Sequence, residues 1–209
     1  GMADFSDIAL ESHKLAVFLK LEEAFIKDAT FNIEDYLVSR LAKNFGRAED
    51  NGFINGTGAD MPTGILAANG GAEVGVTASA ITYEDVVKLF FSVKPEYRKS
   101  GVWLMNDETA MTLRTLKDEG GNYIWNHVND TILGKKVCIS ELMPSAESGS
   151  KPIAFGDFSY YWIVGRRPVS VRTLVEQFAM VDCIGYLAYE FLDGKLVRPE
   201  AIKVMEMTA

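Results

Sequence analysis

Residues 32–66 read NIEDYLVSRLAKNFGRAEDNGFINGTGADMPTGIL, a helical pattern that runs into a glycine-rich bend. Asn32 suits the N-cap position, and the acids Glu34 and Asp35 are favourable in the first turn of a helix. Five apolar residues recur at steps of three and four and form one stripe: Ile33, Leu37, Leu41, Phe45 and Ala48. Most charged residues lie away from that stripe, namely Arg40, Lys43, Arg47, Glu49 and Asp50. The pattern predicts a long helix that packs on a sheet and ends at Gly52.

The bend itself, at residues 53–66, raises two interpretations, an anion-binding loop and a structural turn. Gly56, Gly58 and Gly64 can adopt positive φ and leave their amides open to a phosphate. However, no Lys followed by Ser or Thr stands at the spacing of a phosphate-binding loop. The dinucleotide-binding motif needs a third glycine where this sequence has Met61. The glycines also follow a helix, whereas a dinucleotide site needs them after a strand. The sequence therefore favours the structural turn.

Composition limits the function classes. The chain has 209 residues, 48% of them hydrophobic and 24% charged, which is typical of a soluble protein with one large domain or two small ones. The formal net charge is −8 without a Lys/Arg cluster, which argues against specific nucleic-acid binding. No apolar run is long enough to cross a membrane. Cys138 and Cys183 stand far apart and are interpreted as reduced interior thiols.

The remaining elements follow from periodicity, caps and turn residues. Helices are predicted at 22–28, from Thr82 to Lys94, and at 107–118 with a stop at Gly120 and Gly121. Thr82 and Asp85 are spaced as a capping pair. A Gly/Ala/Ser-rich stretch at 67–80 separates a first block of the chain, before it, from a second block that begins at Thr82. Strands are predicted at 5–21 (initially exposed, then buried), 102–106, 134–140, 151–156, 158–165, 168–174, 178–191 and 199–209, with a turn at 193–195.

No catalytic, cofactor-binding or metal-binding residue can be named. His13 and His127 lack a Cys or Glu at metal-ligand spacing and are interpreted as surface or interface residues. Adjacent acids such as Glu49 and Asp50 point in different directions on a helix and do not form a facing pair. The aromatic run from Phe158 to Trp162 lacks accompanying basic residues and is typical of a strand that packs into a core or an interface.

Five stretches, in order, carry a resemblance to a known family: AEDNGFINGTGADMPTGIL (48–66), VWLMNDETAMTLRTLKDEGGNYIW (102–125), ILGKKVCISELMP (132–144), KPIAFGDFSYYWIVGRR (151–167) and DGKLVRPEAIKVMEM (193–207). Together they resemble the major capsid proteins of tailed bacteriophages, the Hong Kong 97-type family. Each stretch alone is a weak motif, and their order with matching gaps is specific.

The resemblance implies an α+β fold with two parts. The peripheral domain, with a long spine helix and a narrow sheet, takes residues 20–80 and 195–209. The axial α/β domain takes 81–194, and its loop at 120–130 points toward the five- or six-fold axis. The resemblance also implies a structural protein of a phage or prophage, not an enzyme, and this protein self-assembles into the icosahedral shell that encloses DNA. The full-length protein is expected to form hexamers and pentamers, to use scaffold, protease and portal proteins, and to assemble in the bacterial host cytoplasm into the virion capsid.

The chain also departs from the family pattern. Residues 1–19 resemble only the returning strand of the family's extended loop, so we expect a truncated chain that is a monomer or weak oligomer in solution. The isopeptide crosslink of some members is not supported, because residues 8–12 contain no Lys and 174–182 contain Gln177 but no Asn. The acidic balance suggests a shell wall that repels DNA phosphates.

Two alternatives remain. An encapsulin-type nanocompartment shares the fold but encloses enzymes, and the stretches GTGADMPTGIL and FGDFSYYWIVGRR favour the phage proteins over it. An α+β enzyme would need a cleft between the two blocks holding a cofactor or a strongly shifted carboxylate.

Overall fold

The computed structural model describes residues 9–28, 30 and 32–209. The described helices are α1 (Glu23–Asp28), α2 (Ile33–Asn55), α3 (Tyr83–Ser92), α4 (Pro95–Arg98) and α5 (Asp107–Thr115). The described strands are β1 (His13–Glu22), β2 (Glu73–Ala78), β3 (Val102–Met105), β4 (Trp125–Asn126), β5 (Thr131–Ile132), β6 (Lys135–Ile139), β7 (Ile153–Gly156), β8 (Tyr161–Leu174), β9 (Cys183–Leu196) and β10 (Ile202–Met207). Short 3₁₀ turns occupy Phe158–Tyr160, Glu176–Val181 and Pro199–Ala201.

The strands form two sheets. A narrow antiparallel sheet has the order β1-β9-β8, and a wider mixed sheet has the order β2-β10-β7-β3-β6-β5-β4. In the wider sheet Trp103 and Phe155 are fully buried with ring centroids 4.2 Å apart, and the Trp103 indole donates a 3.0 Å hydrogen bond to the carbonyl oxygen of Ile132. Its core also includes Leu89 of α3 and Leu113 of α5, so these two helices cover this sheet.

Helix α2 lies on the narrow sheet, as its apolar stripe predicts. The Asn32 side chain accepts a 3.0 Å hydrogen bond from the Glu34 amide, which confirms the N-cap. Leu41 and Phe45 are buried against Val17 of β1 and Ala188 of β9. The predicted end at Gly52 was wrong, because the helix continues to Asn55 and Gly56 caps it. Gly52 lies inside the helix, where a Cβ would stand 3.4 Å from the Pro62 ring.

The glycine-rich bend is a turn, as predicted. The Gly56 amide donates to the Gly52 carbonyl at 3.0 Å, and the Gly64 amide donates to the Gly56 carbonyl at 2.9 Å, so neither is open to an anion. A Cβ on Gly56 would stand 2.1 Å from the Pro62 carbonyl oxygen. Close backbone approach therefore requires this glycine, while only Gly58 of the three has a positive φ, 81°.

Three predicted boundaries differ in the structure. The Gly/Ala/Ser-rich stretch contains β2, which pairs with β10 in the wider sheet. Residues 193–195 do not turn but continue β9, because β8 runs beside them and pairs Trp162 with Lys195. Residues 158–160 and 178–182 precede their strands, which begin at Tyr161 and Cys183.

The first strand and the thiols also differ from expectation. β1 begins at His13 and alternates in burial along its length, because one face packs on α2. The predicted strand's residues 5–8 lie outside the described residues. Cys183 is buried, but Cys138 is exposed, since β6 leaves one face of its sheet uncovered there.

The division into peripheral and axial domains stays a prediction. The strand pairings cut across its proposed boundaries. β8 and most of β9 fall in the segment assigned to the axial domain, yet β9 pairs with both β8 and β1 in the sheet beside α2. β10 falls in the segment assigned to the peripheral domain, and it pairs with both β2 and β7.

Candidate assembly surfaces

Strand β8 is an exposed sheet edge. It spans 14 residues and pairs on one side with β9, which leaves its other side without a partner strand among the described residues. An edge of this length offers a row of backbone donors and acceptors to another chain. Its pairing with β9 shifts register between Gly165 and Arg167 and again before Ser170, with Pro168 inside the irregular stretch. These irregularities limit uncontrolled pairing along the edge.

The side chains of β8 are exposed on both faces of the narrow sheet. Large apolar residues are among them: Trp162, Ile163, Val164, Val169 and Val171. The strand also carries Arg166, Arg167 and Arg172 and no acid, a charge of +3 on a chain whose net charge is −8. A continuous apolar and basic strip on an acidic protein is typical of an interaction surface, and acidic surfaces of identical copies are complementary to it.

The tip that joins β8 to β9 is a second exposed apolar feature. Its residues form the 3₁₀ turn Glu176–Val181. The Met180 side chain is 100% exposed, and Val175 and Val181 are more than half exposed. At the base of the tip, the Phe178 ring packs on Phe18 with centroids 5.4 Å apart. The packed ring holds the turn while leaving the methionine free to contact another molecule.

The loop at 120–130, predicted to point toward a symmetry axis, is exposed but anchored. The Arg114 guanidinium lies 2.7 Å from an Asp130 carboxylate oxygen and 4.7 Å from the Trp125 ring centroid. The Trp125 indole donates a 3.0 Å hydrogen bond to the same Asp130 oxygen. The Asn122 amide donates to the Asp118 carboxylate at 2.8 Å, and this lowers the pKa of Asp118 below its usual range. The tip residue Val128 is 89% exposed.

The two histidines are not brought together. His127 lies in the exposed loop with its ring edge-on to Tyr123. His13 is partly buried, and the register of β1 with β9 places it 3.6 Å from the buried Asp193 carboxylate. Among the described residues no three His, Cys, Asp or Glu side chains form a group that could hold a metal ion. Nor does any described helix have the length and hydropathy to span a membrane.

One carboxyl group departs strongly from ordinary titration. Burial and the neighbouring Glu49 raise the pKa of Glu190 to about 7. This is the kind of shifted carboxylate that the enzyme alternative requires, but it lies between α2 and the narrow sheet, not in a cleft between the two blocks. The neighbouring acid is Glu49, which the sequence pattern predicts to lie away from the apolar stripe of α2.

Comparison with known proteins decides the family. The model of the phage capsid family matches residues 1–207. The chain belongs to the phage capsid family. Among curated protein sequences no relative matches it.

Solved structures of capsids have the same fold. The capsid of an empty GTA particle, computed with C5 symmetry, is 30% identical, with 99% of this chain and 79% of that one covered at a TM-score of 0.79. The capsid of the native GTA particle is also 30% identical, with coverages of 97% and 74% and a TM-score of 0.78. The chain from Gordonia phage Cozz is 13% identical, and the match covers 100% of this chain and 77% of that one at a TM-score of 0.68. At this identity the match shows the fold alone.

This phage capsid family member is therefore a major capsid structural protein with a Hong Kong 97-type fold, and its homo-oligomer is the virion capsid. The encapsulin and enzyme alternatives are not favoured. Sequence reasoning missed the basic, exposed character of β8, although the Arg166–Arg167 pair inside an apolar run was a visible signal.

Proposed function

We propose that this capsid protein tiles an icosahedral shell around DNA through the edge of β8 and the tip at Glu176–Val181, as pentamers and hexamers. The observation that carries the proposal is the 14-residue strand β8, exposed along nearly its whole length and both apolar and basic. A structural subunit without enzymatic activity needs such surfaces and no active-site cleft.

The remaining partners follow from the same role. Assembly would take place in the bacterial host cytoplasm with scaffold, protease and portal proteins. The net charge of −8 suits an inner wall that repels nucleic acid and does not bind it specifically. In purified form we expect a monomer or weak oligomer, because a strand edge and a hairpin tip are small contacts compared with the area that stable interfaces bury.

The experiment compares Met180→Asp with wild type by size-exclusion chromatography and light scattering over a concentration series. Met180 is fully exposed, so the variant is expected to melt at the wild-type temperature. We expect at least about tenfold weaker self-association, since about 1.4 kcal/mol of contact energy corresponds to that factor. Met180→Leu keeps an apolar side chain and is the matched control.

A second variant, Arg166→Glu with Arg167→Glu, tests the charge of β8. It should weaken association most at low salt, because salt screens exposed charges. Self-association that neither variant changes would remove β8 and its tip from the interface. Electron microscopy of particles from a bacterial host tests the shell itself: nucleic acid inside agrees with the proposal, and a cargo of enzymes contradicts it.

A further inference from the structure

Two acids meet in the apolar seam between α2 and the narrow sheet. Glu49 follows the buried residues Leu41 and Phe45 at the next four-residue step, so it lies on the face of α2 that contacts the sheet. Glu190 lies two residues beyond Ala188 in β9 and therefore on the same sheet face. Because Ala188 packs against Leu41 and Phe45, Glu190 faces the next turn of the helix, where Glu49 is.

No cation of the described residues is paired with these acids. The Oε1 atom of Glu190 is buried and, apart from the neighbouring Glu49 carboxyl group, has no hydrogen-bond partner among the described residues. Among the described residues neither Glu49 nor Glu190 forms an ion pair. A buried carboxylate without a partner is costly, and two neighbouring carboxylates cannot both ionise without repulsion. A single proton shared between them satisfies both groups.

The other elements around Glu190 do not compensate its charge. On β1 the residue directly opposite is Leu15, and the next titratable group on that face is His13, which is held by Asp193. On β8, Arg167 pairs with Phe191, the adjacent position, whose side chain lies on the opposite sheet face.

The charged residues of α2 and of the glycine-rich bend do not compensate the charge of Glu190 either. Arg47 and Asp50 flank Glu49 in sequence but are exposed. From the bend, Asp60 adds a further acid to the cavity that Glu49 lines. Lys14 of β1 also lines this cavity, but its ammonium group lies 4.8 Å from the Tyr189 ring centroid and forms no ion pair with either acid.

We propose that Glu49 and Glu190 form a proton-dependent latch that holds the C-terminal half of α2 on the sheet. With one shared proton the latch is closed. Without it two carboxylates repel each other, and this half of the helix loosens. A cavity of about 240 Å³ lies beside Glu49, lined also by His13, Met61 and Pro62, and gives water access to the opened seam. The inference concerns the single chain and does not depend on shell assembly.

The sign of the pH dependence follows from the shared proton. The pKa of Glu190 is raised in the folded state, to about 7, so the folded chain binds more protons than the unfolded chain between the ordinary carboxyl range and that value. Stability must therefore fall as the pH rises through this interval and level off above it.

The experiment measures the melting temperature of the chain from pH 5 to 8.5 at one protein concentration. We expect wild type to lose about 3 °C between pH 6 and pH 8, and Glu190→Gln and Glu49→Gln each to lose much less. Histidines change charge in the same pH range. The result is therefore the difference in slope between wild type and variant, in which the contribution of histidines such as His13 cancels. Asp50→Asn, an exposed neighbour on α2, is the matched control and should keep the wild-type slope.

A wild-type slope retained by Glu190→Gln would overturn the proposal. If a variant does not fold, carboxyl ¹³C NMR titration of wild type decides. Two coupled steps, one near neutral pH, support the latch, and independent titration of both acids in the ordinary carboxyl range contradicts it.

Discussion

The Tyr161 hydroxyl group donates a 2.9 Å hydrogen bond to the main-chain carbonyl oxygen of Thr63, 98 residues earlier in the chain. In the same region the Thr63 amide donates at 3.0 Å to the carbonyl oxygen of Gly194 in β9. The glycine-rich bend is thus attached to the start of β8 and to the end of β9. Burial and the charge of Asp193 raise the pKa of Tyr161 above its ordinary value, so the phenol remains a donor at physiological pH.

Tyr161→Phe should lower the free energy of unfolding by about 1 kcal/mol, because it leaves the Thr63 oxygen without its donor while keeping the ring contact with Phe53. Denaturant titration measures this difference. Tyr123→Phe, at a position 52% exposed, serves as the control and should change stability by less than about 0.5 kcal/mol. Equal losses in both variants would contradict a specific role for the Tyr161 bond.

Gly56→Ala should destabilise the chain by about 3 kcal/mol or prevent folding, because its Cβ would stand 2.1 Å from the backbone oxygen of Pro62 and 2.2 Å from that of Gly52. Gly46→Ala in the same helix is the matched comparison, since nothing lies within 4 Å of its Cβ position. We expect it to stabilise by about 0.5–1 kcal/mol through helix propensity. Thermal denaturation of both variants checks the opposite signs.

Phe45→Ala should cost about 3–5 kcal/mol, because it opens a cavity where α2 packs on Val17 and Ala188. Val38→Ala, at a helix position 66% exposed, should change stability by less than about 0.5 kcal/mol. Chemical denaturation followed by circular dichroism compares the two. A small loss for Phe45→Ala would mean that α2 contributes little to the fold in this chain.

Asp118 should titrate below the ordinary carboxyl range, because the Asn122 amide and side chain donate hydrogen bonds to its charged form. With a depressed pKa, its contribution to loop order is present above the unfolded value and is lost as the pH falls through the folded value. Carboxyl ¹³C NMR measures the titration. Asn122→Ala removes the side-chain donor and should shift the pKa upward, and an unchanged pKa would leave the backbone amides of Asn122, Gly120 and Gly121 as the cause.

Local signals were sufficient for several elements of this fold. The Asn32 cap and the stripe through Leu41 and Phe45 predicted α2. The Thr82 cap predicted α3, and the Thr82 side chain accepts a hydrogen bond from the Asp85 amide. These predictions succeeded because caps and helical periodicity act between residues a few positions apart. The resemblance in five ordered stretches also predicted the family correctly.

Other features depend on contacts between distant segments. No local pattern revealed that β10 would pair with β2, or that Asp193 and Gly194 would continue a strand instead of turning. The latch residues are a further example. Glu49 has the spacing of the apolar stripe, but because it is charged the sequence predicted that it would face solvent.

By itself, the sequence determined where the main helices begin, where the glycines permit the bend, and to which family the chain belongs. Only the tertiary structure decided which strands share a sheet, which edge stays open along β8, and which acids face each other. The physical reason is that caps and periodicity report a residue's near neighbours along the chain, whereas strand pairing and the burial of charge depend on segments more than a hundred residues apart, such as β1 and β9.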